Sequence, residues 1–291
     1  MKIPFEDLNP EVSDEAVAKQ LSVIAGEAKQ LRNVDVYKRC LASVDYTSLN
    51  ATDTQALGKS LAEKVNNFST RYANIPNVAA ICVYPSLVCT VRQTLRLKEV
   101  SIAAVGGGFS ASQTFFPVKK LECGMAIVAG ANEVDVVISL GYFLGGDYDA
   151  TFEEIERIKT DVIGDKVRLK VILETGSLPS LTLVRKAGIG SMAAGADFIK
   201  TSTGKITPAA TPEAALVMCR AIKDFYGQTK VKVGFKAAGG IATTADAVMY
   251  YAIVKHVLGE EWLTPALFRI GASRLANSLL SDITGKEEKY F

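Results

Sequence analysis

The stretch DFIKTSTGK, residues 197–205, and its counterpart VGFKAAGG, residues 233–240, decide how the chain is read. Each begins as a strand-like apolar run, carries a lysine near its end and passes into a glycine turn. An ammonium group is costly to bury and is seldom placed in a core without a task. Neighbouring parallel strands lie about 4.8 Å apart, so Lys200 and Lys236 can share one pocket. Two cations so placed depress each other's pKa, which supplies a neutral amine able to attack a carbonyl. Either lysine alone reads equally well as a solvated loop cation. The pairing is what argues for Schiff-base chemistry.

Outward from this pair the same unit recurs. Strand-like runs fall at 40–47, 78–84, 100–105, 133–140, 167–174, 196–202, 231–237 and 266–271. Amphipathic stretches lie between them, for example 52–72, 151–163, 180–195 and 211–227, and a helical run at 273–283 closes the series. Residues 13–32 open with Ser-Asp-Glu and read as an extra helix ahead of the main fold. Eight strands alternating with helices predict a (β/α)₈ TIM barrel, an α/β fold, with a doubly wound sheet as competitor. The barrel is favoured because Asp45, Cys82, Asp135, Glu174, Lys200, Lys236 and Ser273 all fall near strand C-terminal ends, which converge on one mouth in a barrel. Alternation puts Lys232 and Gly234 inside with Lys236, Phe198 with Lys200, Glu133 with Asp135, and Lys170 with Glu174. The reading is one domain over 1–291, with a helical extension at 1–38 and a mobile tail at 284–291.

Composition narrows the function. The 33 basic and 31 acidic residues are interspersed, with no basic stripe and no aromatic interleaving, so nucleic-acid binding has no support. No run of 18 apolar residues lacks a charge, and the N-terminal MKIPFEDLNPEVSDE lacks the apolar core of a secretory signal. A soluble cytoplasmic protein that engages no membrane is expected. The five cysteines are irregularly spaced without a CxxC, which predicts reduced, mostly buried thiols. The one histidine, His256, sits in a helical stretch far from the strand ends, which disfavours a His-rich metal site and a Ser-His-Asp triad. No metal and no cofactor are expected. The chemistry must run on Lys, Asp, Glu, Cys and Tyr.

Asp135 sits among valines, where an ionised carboxylate needs a partner. Beside an inward lysine it can relay protons, or serve equally well as a structural ion pair. STGK (202–205), AAGG (237–240) and GAS (271–273) follow the sixth, seventh and eighth strands. Such turns offer backbone N–H groups to an anion, and this barrel commonly binds phosphate there. Thr203, Lys205, Ser273 and Arg274 can add hydroxyl or charge. Glycines that merely permit tight turns explain any one loop, but three on adjacent strands point to a phosphate. ALGKS (56–60) ends like a phosphate loop but has Asp53 where the first glycine belongs and looks helical. VGGGF (105–109) is too generic for a dinucleotide site. Cys82 is either a pocket thiol or, preferably, a core cysteine.

Six segments together resemble the deoxyribose-phosphate aldolase family of class I aldolases: AICVYP (80–85), ANEVDVV (131–137), LKVILETG (169–176), AGADFIKTSTGK (194–205), VGFKAAGG (233–240) and FRIGAS (268–273). The resemblance runs from about residue 43 to the C-terminus. It implies that Lys200 is the Schiff-base nucleophile, that Lys236 lowers its pKa, and that Asp135 joins a proton relay. It places the phosphate on Gly204-Lys205, Gly239-Gly240 and Ser273, with Asp45 and Thr47 lining the mouth. A terminal tyrosine assists proton transfer in such enzymes; here Tyr290 is penultimate, and its role stays open. Ala237 replaces a usual proline, GGGFSAS (106–112) replaces an NFP- or GFP-like segment, and Arg274 replaces a small hydroxyl residue, either tightening phosphate binding or facing solvent. The expected reaction is reversible cleavage of 2-deoxyribose 5-phosphate to acetaldehyde and glyceraldehyde 3-phosphate. Another class I aldolase or transaldolase-like barrel, or a non-catalytic sugar-phosphate sensor, are the alternatives. A homodimer is possible, since such barrels commonly pair.

Overall fold

Eight parallel strands hydrogen-bond in sequence order and close on themselves, β8 pairing with β1. The computed structural model describes residues 11–291. The first ten residues of the predicted extension lie outside the described residues.

The strands are β1 (Val44–Thr47), β2 (Ala80–Val83), β3 (Ser101–Gly106), β4 (Glu133–Val137), β5 (Arg168–Ile172), β6 (Phe198–Lys200), β7 (Gly234–Ala238) and β8 (Phe268–Ala272). Two helices precede the barrel, α1 (Asp14–Gln30) and α2 (Val34–Ala42). The wall holds α3 (Gln55–Arg71), α4 (Pro85–Thr94), α5 (Phe116–Val128), α6 (Leu140–Leu144) and α7 (Tyr148–Ile158). It is completed by α8 (Leu181–Ala193), α9 (Pro212–Thr229), α10 (Thr244–Leu258) and α11 (Leu275–Thr284).

Local chemistry starts most of these helices. Ser13, Asn33, Thr54, Asp147, Ser180, Thr211 and Thr243 each accept a backbone N–H from the first turn, and Thr243 with Asp246 forms a reciprocal capping box. α1 then buries Val17, Leu21, Ile24 and Ala28 along one stripe, which packs across α9 and α10. The predicted phosphate-loop look-alike at 56–60 lies within α3, as its helical pattern indicated.

Three strand boundaries differ from expectation by three residues or more. The first strand was expected from residue 40, but Cys40 and Leu41 are the buried last turn of α2. Asn33 caps that helix, and nine residues leave too few repeats for the period to show. The fourth strand stops at Val137 because Leu140 starts a short helix. Lys232, expected inside the barrel, precedes β7; its ammonium pairs with Glu261 and lies over the Trp262 ring. Its long stem lets the charge stay in water while the body of the side chain covers the indole.

The barrel interior shows the expected parity elsewhere. Gly234 is bare because a Cβ there would overlap the Phe198 ring across the β6–β7 ladder. That ring fills the space a second large side chain would need.

The C-terminal tail, expected to be mobile, is held against the wall. The Tyr72 hydroxyl donates to Glu288 at 2.6 Å, Tyr290 donates to the Lys64 carbonyl at 2.7 Å, and Asn277 exchanges two hydrogen bonds with the Phe291 backbone. Phe291 also meets the Tyr46 and Phe68 rings at 5.2 Å. The tail thus fills the seam between α3 and α11. No helix among the described residues is long and apolar enough to cross a membrane.

Candidate active site

Lys200 ends β6 and is the direct register partner of Lys236 on β7. Both side chains are buried, which removes the solvated-loop reading. Both ammonium groups donate to the same carboxylate oxygen, Asp135 Oδ2 on β4, at 2.9 Å from Lys200 and 2.8 Å from Lys236. Lys236 has a second partner, the Asp45 carboxylate on β1. The other Asp135 oxygen accepts from Lys170 on β5 at 2.8 Å, and Lys170 also reaches Glu133 at 2.6 Å. Arg269 on β8 closes the network, donating to Asp45 at 2.6 Å and to Glu133 at 2.8 Å. All seven side chains, Asp45, Glu133, Asp135, Lys170, Lys200, Lys236 and Arg269, are buried.

Burial opposes every one of these charges, and partners decide who keeps them. Burial lowers the Lys200 pKa, the shared Asp135 resists, and the neighbouring Lys236 cation lowers it further. Burial also works against Lys236, but Asp135 and Asp45 together overcome it and raise its pKa. The expected mutual depression is therefore one-sided. Burial pushes Asp135 up, yet Lys170, Lys200 and Lys236 hold it well below the ordinary carboxylate range. Asp45 and Glu133 are also lowered despite burial, by Lys236 and Arg269 for the first and by Lys170 and Arg269 for the second. The site holds one amine shifted toward neutrality among fixed ions.

Above Lys200 a cavity of about 280 Å³ opens at the C-terminal ends of the strands. Of the predicted residues, Thr47, Lys200, Thr203, Gly204, Lys205, Gly239, Gly240, Ser273 and Arg274 line it. Lys236, Asp135 and Asp45 lie beneath as its floor. Glu174, the predicted end of the fifth strand, is buried and turns with φ +51°. Its carboxylate accepts from the Thr203 N–H at 3.1 Å and hydroxyl at 2.5 Å, fixing the STGK turn from the neighbouring loop. Gly239 has φ +88°, and a Cβ on it would lie 2.6 Å from the Ala209 side chain and 3.0 Å from Gly204 Cα. The two glycine turns pack backbone to backbone, leaving their N–H groups at the cavity rim rather than under side chains. Lys205 reaches across the mouth to the Leu49 carbonyl after β1. Ser273 and Arg274 stand exposed at the rim.

Two predicted residues fall elsewhere. Tyr290 packs against Phe68 and Tyr72 on the outer wall, so in this structure it is not at the mouth. Cys82 is buried on β2 with Leu49, Ala80, Ala103 and Val105, and burial raises its thiol pKa. It is packed as a core thiol yet lies close enough to feel Lys236, Asp135 and Lys200. The GGGFSAS segment sends Phe109 against Tyr84, capping that same cluster. Arg269 escaped the sequence reading, as did Ser48 and Asn50 at the mouth. The available signal for Arg269 was its place inside the quoted FRIGAS motif, a cation where an apolar strand should continue.

A (β/α)₈ barrel whose mouth is floored by paired lysines and a bridging aspartate defines a lysine-dependent aldolase, a carbon–carbon lyase. The family described as DeoC/LacD family aldolase matches residues 39–259, more than half the chain, and the protein belongs to it. The deoxyribose-phosphate aldolase of Homo sapiens is 40% identical over 255 residues, 84% of this chain and 78% of the human one. That of Mus musculus is 48% identical over 207 residues, 70% of this chain and 63% of the mouse protein. The tetrameric deoxyribose phosphate aldolase of Aeropyrum pernix shares the fold, with a TM-score of 0.69 at 24% identity over 89% of this chain and 96% of that one.

Proposed function

We propose that the protein cleaves 2-deoxy-D-ribose 5-phosphate reversibly to acetaldehyde and D-glyceraldehyde 3-phosphate through an imine on Lys200. One observation carries this reading. Lys200 is the network lysine whose pKa is lowered, and it alone among those lysines lines the cavity. Its neutral Nζ attacks the open-chain aldehyde carbon, giving a carbinolamine that loses water to a protonated imine. The imine withdraws the electron pair of the breaking C2–C3 bond as the C3 oxygen forms the glyceraldehyde carbonyl and releases its proton. The resulting enamine takes a proton at carbon, and water hydrolyses the new imine to acetaldehyde and free Lys200.

Lys236 stays cationic and Asp135 anionic throughout, so they supply a fixed field and hydrogen bonds around the nitrogen, with bound water carrying protons. The Gly204-Lys205 and Gly239-Gly240 turns, with Ser273 and Arg274, receive the phosphate. Its binding energy then positions the reacting carbons over Lys200. The Arg274 side chain adds charge where a hydroxyl is usual. Asp45 acts from below, through Lys236. Five free cysteines fit a reducing, cytoplasmic setting.

We infer further that two copies pair through α5. Val118, Leu121, Met125 and Val128 are exposed at spacings of three and four along its outer face, with Phe115 beside them. A heptad-like apolar stripe packs well against its own twofold copy. Sedimentation should give a dimer that Leu121→Asp converts to monomer; an unaltered mass rejects this interface.

A substrate panel tests the activity. Glyceraldehyde 3-phosphate release should be fastest from deoxyribose 5-phosphate and should fall steeply for unphosphorylated deoxyribose. Equal turnover of unrelated phosphosugars would point to a different class I aldolase. Stabilisation by sugar phosphate without any turnover would point to a sensor.

A further inference from the structure

Among the described residues, the ion network inside the barrel holds four cations, Lys170, Lys200, Lys236 and Arg269, and three carboxylates, Asp45, Glu133 and Asp135. The charges come from five of the other seven strands. β1 gives Asp45, β4 gives Glu133 and Asp135, β5 gives Lys170, β7 gives Lys236 and β8 gives Arg269. Arg168 of β5 stands partly exposed at the far rim, 3.8 Å from Glu133 and beside Lys98, Glu99 and Lys166, and stays outside the interior count. β2 gives only the Cys82 thiol, kept neutral by burial, and β3 gives no charge. At the mouth stand Lys205 and Arg274, and Glu174, buried behind it, is engaged by Thr203 outside this network.

Fully protonated, the interior carries one excess positive charge. With one lysine neutral, three cations meet three anions. A dry interior penalises the unbalanced state, so one proton is disfavoured. Geometry selects the site that gives it up. Arg269 cannot lose a proton and is forked between Asp45 and Glu133. Lys170 holds Glu133 and Asp135, while Lys236 holds Asp45 and Asp135. Lys200 has a single carboxylate oxygen, and Lys236 shares it.

Arg269 and Glu133 lie at the other end of the barrel, bordering a cavity that opens at the N-terminal ends of the strands. Neither lines the mouth. We propose that Arg269 and Glu133 are positioning residues that set the charge count of the barrel interior and thereby keep Lys200 neutral from its far end. The inference rests on Lys200 as the imine-forming amine. Arg269 occupies Asp45 and Glu133 so that neither is left for a protonated Lys200. Glu133 in turn sets how many cations the interior can hold.

The two residues act in opposite directions, which gives the test. In R269M, three lysines face three carboxylates, so Lys200 holds its proton. The acid limb of the kcat/KM–pH profile should move up by about one pH unit or more, with roughly tenfold loss on that limb for each pH unit moved, recovered in alkali. In E133Q one anion is gone, and the limb should move down. The double variant R269M/E133Q again balances with neutral Lys200, and its limb should return close to that of the wild type. R269K keeps the charge and should keep the limb even where kcat falls. Together with E133Q it carries the test if R269M does not fold.

Limbs that shift the same way, do not shift, or fail to cancel in the double variant overturn the proposal. Borohydride trapping on the wild type separates this from the parent reading. Absence of a Lys200 adduct removes the nucleophile itself, whereas an adduct with unmoved limbs removes only the charge-count role.

Discussion

Lys200 and Lys236 face each other as register partners and donate to one oxygen of Asp135, at 2.9 and 2.8 Å, yet only Lys236 has a second carboxylate in Asp45. Two identical side chains on adjacent strands thus differ by one partner. That difference raises the pKa of one and leaves the other to be lowered by burial.

Lys236→Leu removes the cation and frees Asp135 for Lys200. Lys200 then keeps its proton, and the pH–rate profile should move to higher pH. At pH 7 the loss should be roughly 100-fold or more, about tenfold for each pH unit the profile moves, with partial recovery in alkali. An unchanged profile would show that the lysines do not communicate.

Gly239→Ala tests the phosphate cradle. The added Cβ meets Ala209 and the Gly204 backbone in a left-handed turn, a strain of about 1–3 kcal/mol. The two turns must part, so KM for the phosphorylated substrate should rise more than kcat falls. Turnover of unphosphorylated deoxyribose should change little. Equal losses on both substrates would place the phosphate elsewhere.

Much of this was legible in the sequence because its chemistry sits at strand ends. A lysine closing an apolar run, as in DFIK or VGFK, contrasts with its surroundings, and alternation then fixes which neighbours share its side. Glu133 and Lys170 fall inside by that parity, as expected. Alternation says which face a residue takes but not how partners divide. The raised pKa of Lys236 depends on Asp45, separated by 191 residues and joined only by barrel closure. Arg269 was hidden in the same way, a cation whose carboxylates arrive from β1 and β4. The tail reads as mobile because a short polar run, GKEEK, dominates its composition, while Tyr290 and Phe291 meet an aromatic seam visible only after folding. Lys232 was placed inside by starting a strand three residues too early.

Acid should attack the interior network first. Asp45, Glu133 and Asp135 are held below the ordinary values of 3.8 for Asp and 4.5 for Glu. The stability they contribute is therefore complete above pH ~5 and is lost as pH falls through about 4 and below. Lys200 acts with the same sign in a higher pH range. The unfolded chain binds a proton that the folded chain holds weakly, so stability should rise with pH toward 10.5. Urea denaturation across pH reads both limbs, and Lys200→Met should flatten the alkaline rise while leaving the acid loss.

Removing residues 286–291 should cost about 2–4 kcal/mol, because it strips the tail's aromatic contacts and leaves buried partners unsatisfied. Tyr290→Phe should cost about 1 kcal/mol through the lost Lys64 carbonyl bond. Thermal melts measure both. Full stability of the truncated chain would mean that the tail spends its time off the wall.

The central claim is that Lys200 is the amine that becomes covalent. Borohydride reduction with deoxyribose 5-phosphate, followed by peptide mass mapping, asks this directly. The account predicts one reduced adduct, on the peptide carrying Lys200, absent from a folded Lys200→Ala variant. An adduct on Lys236 or Lys170, or none from protein that still binds the sugar phosphate, would contradict it.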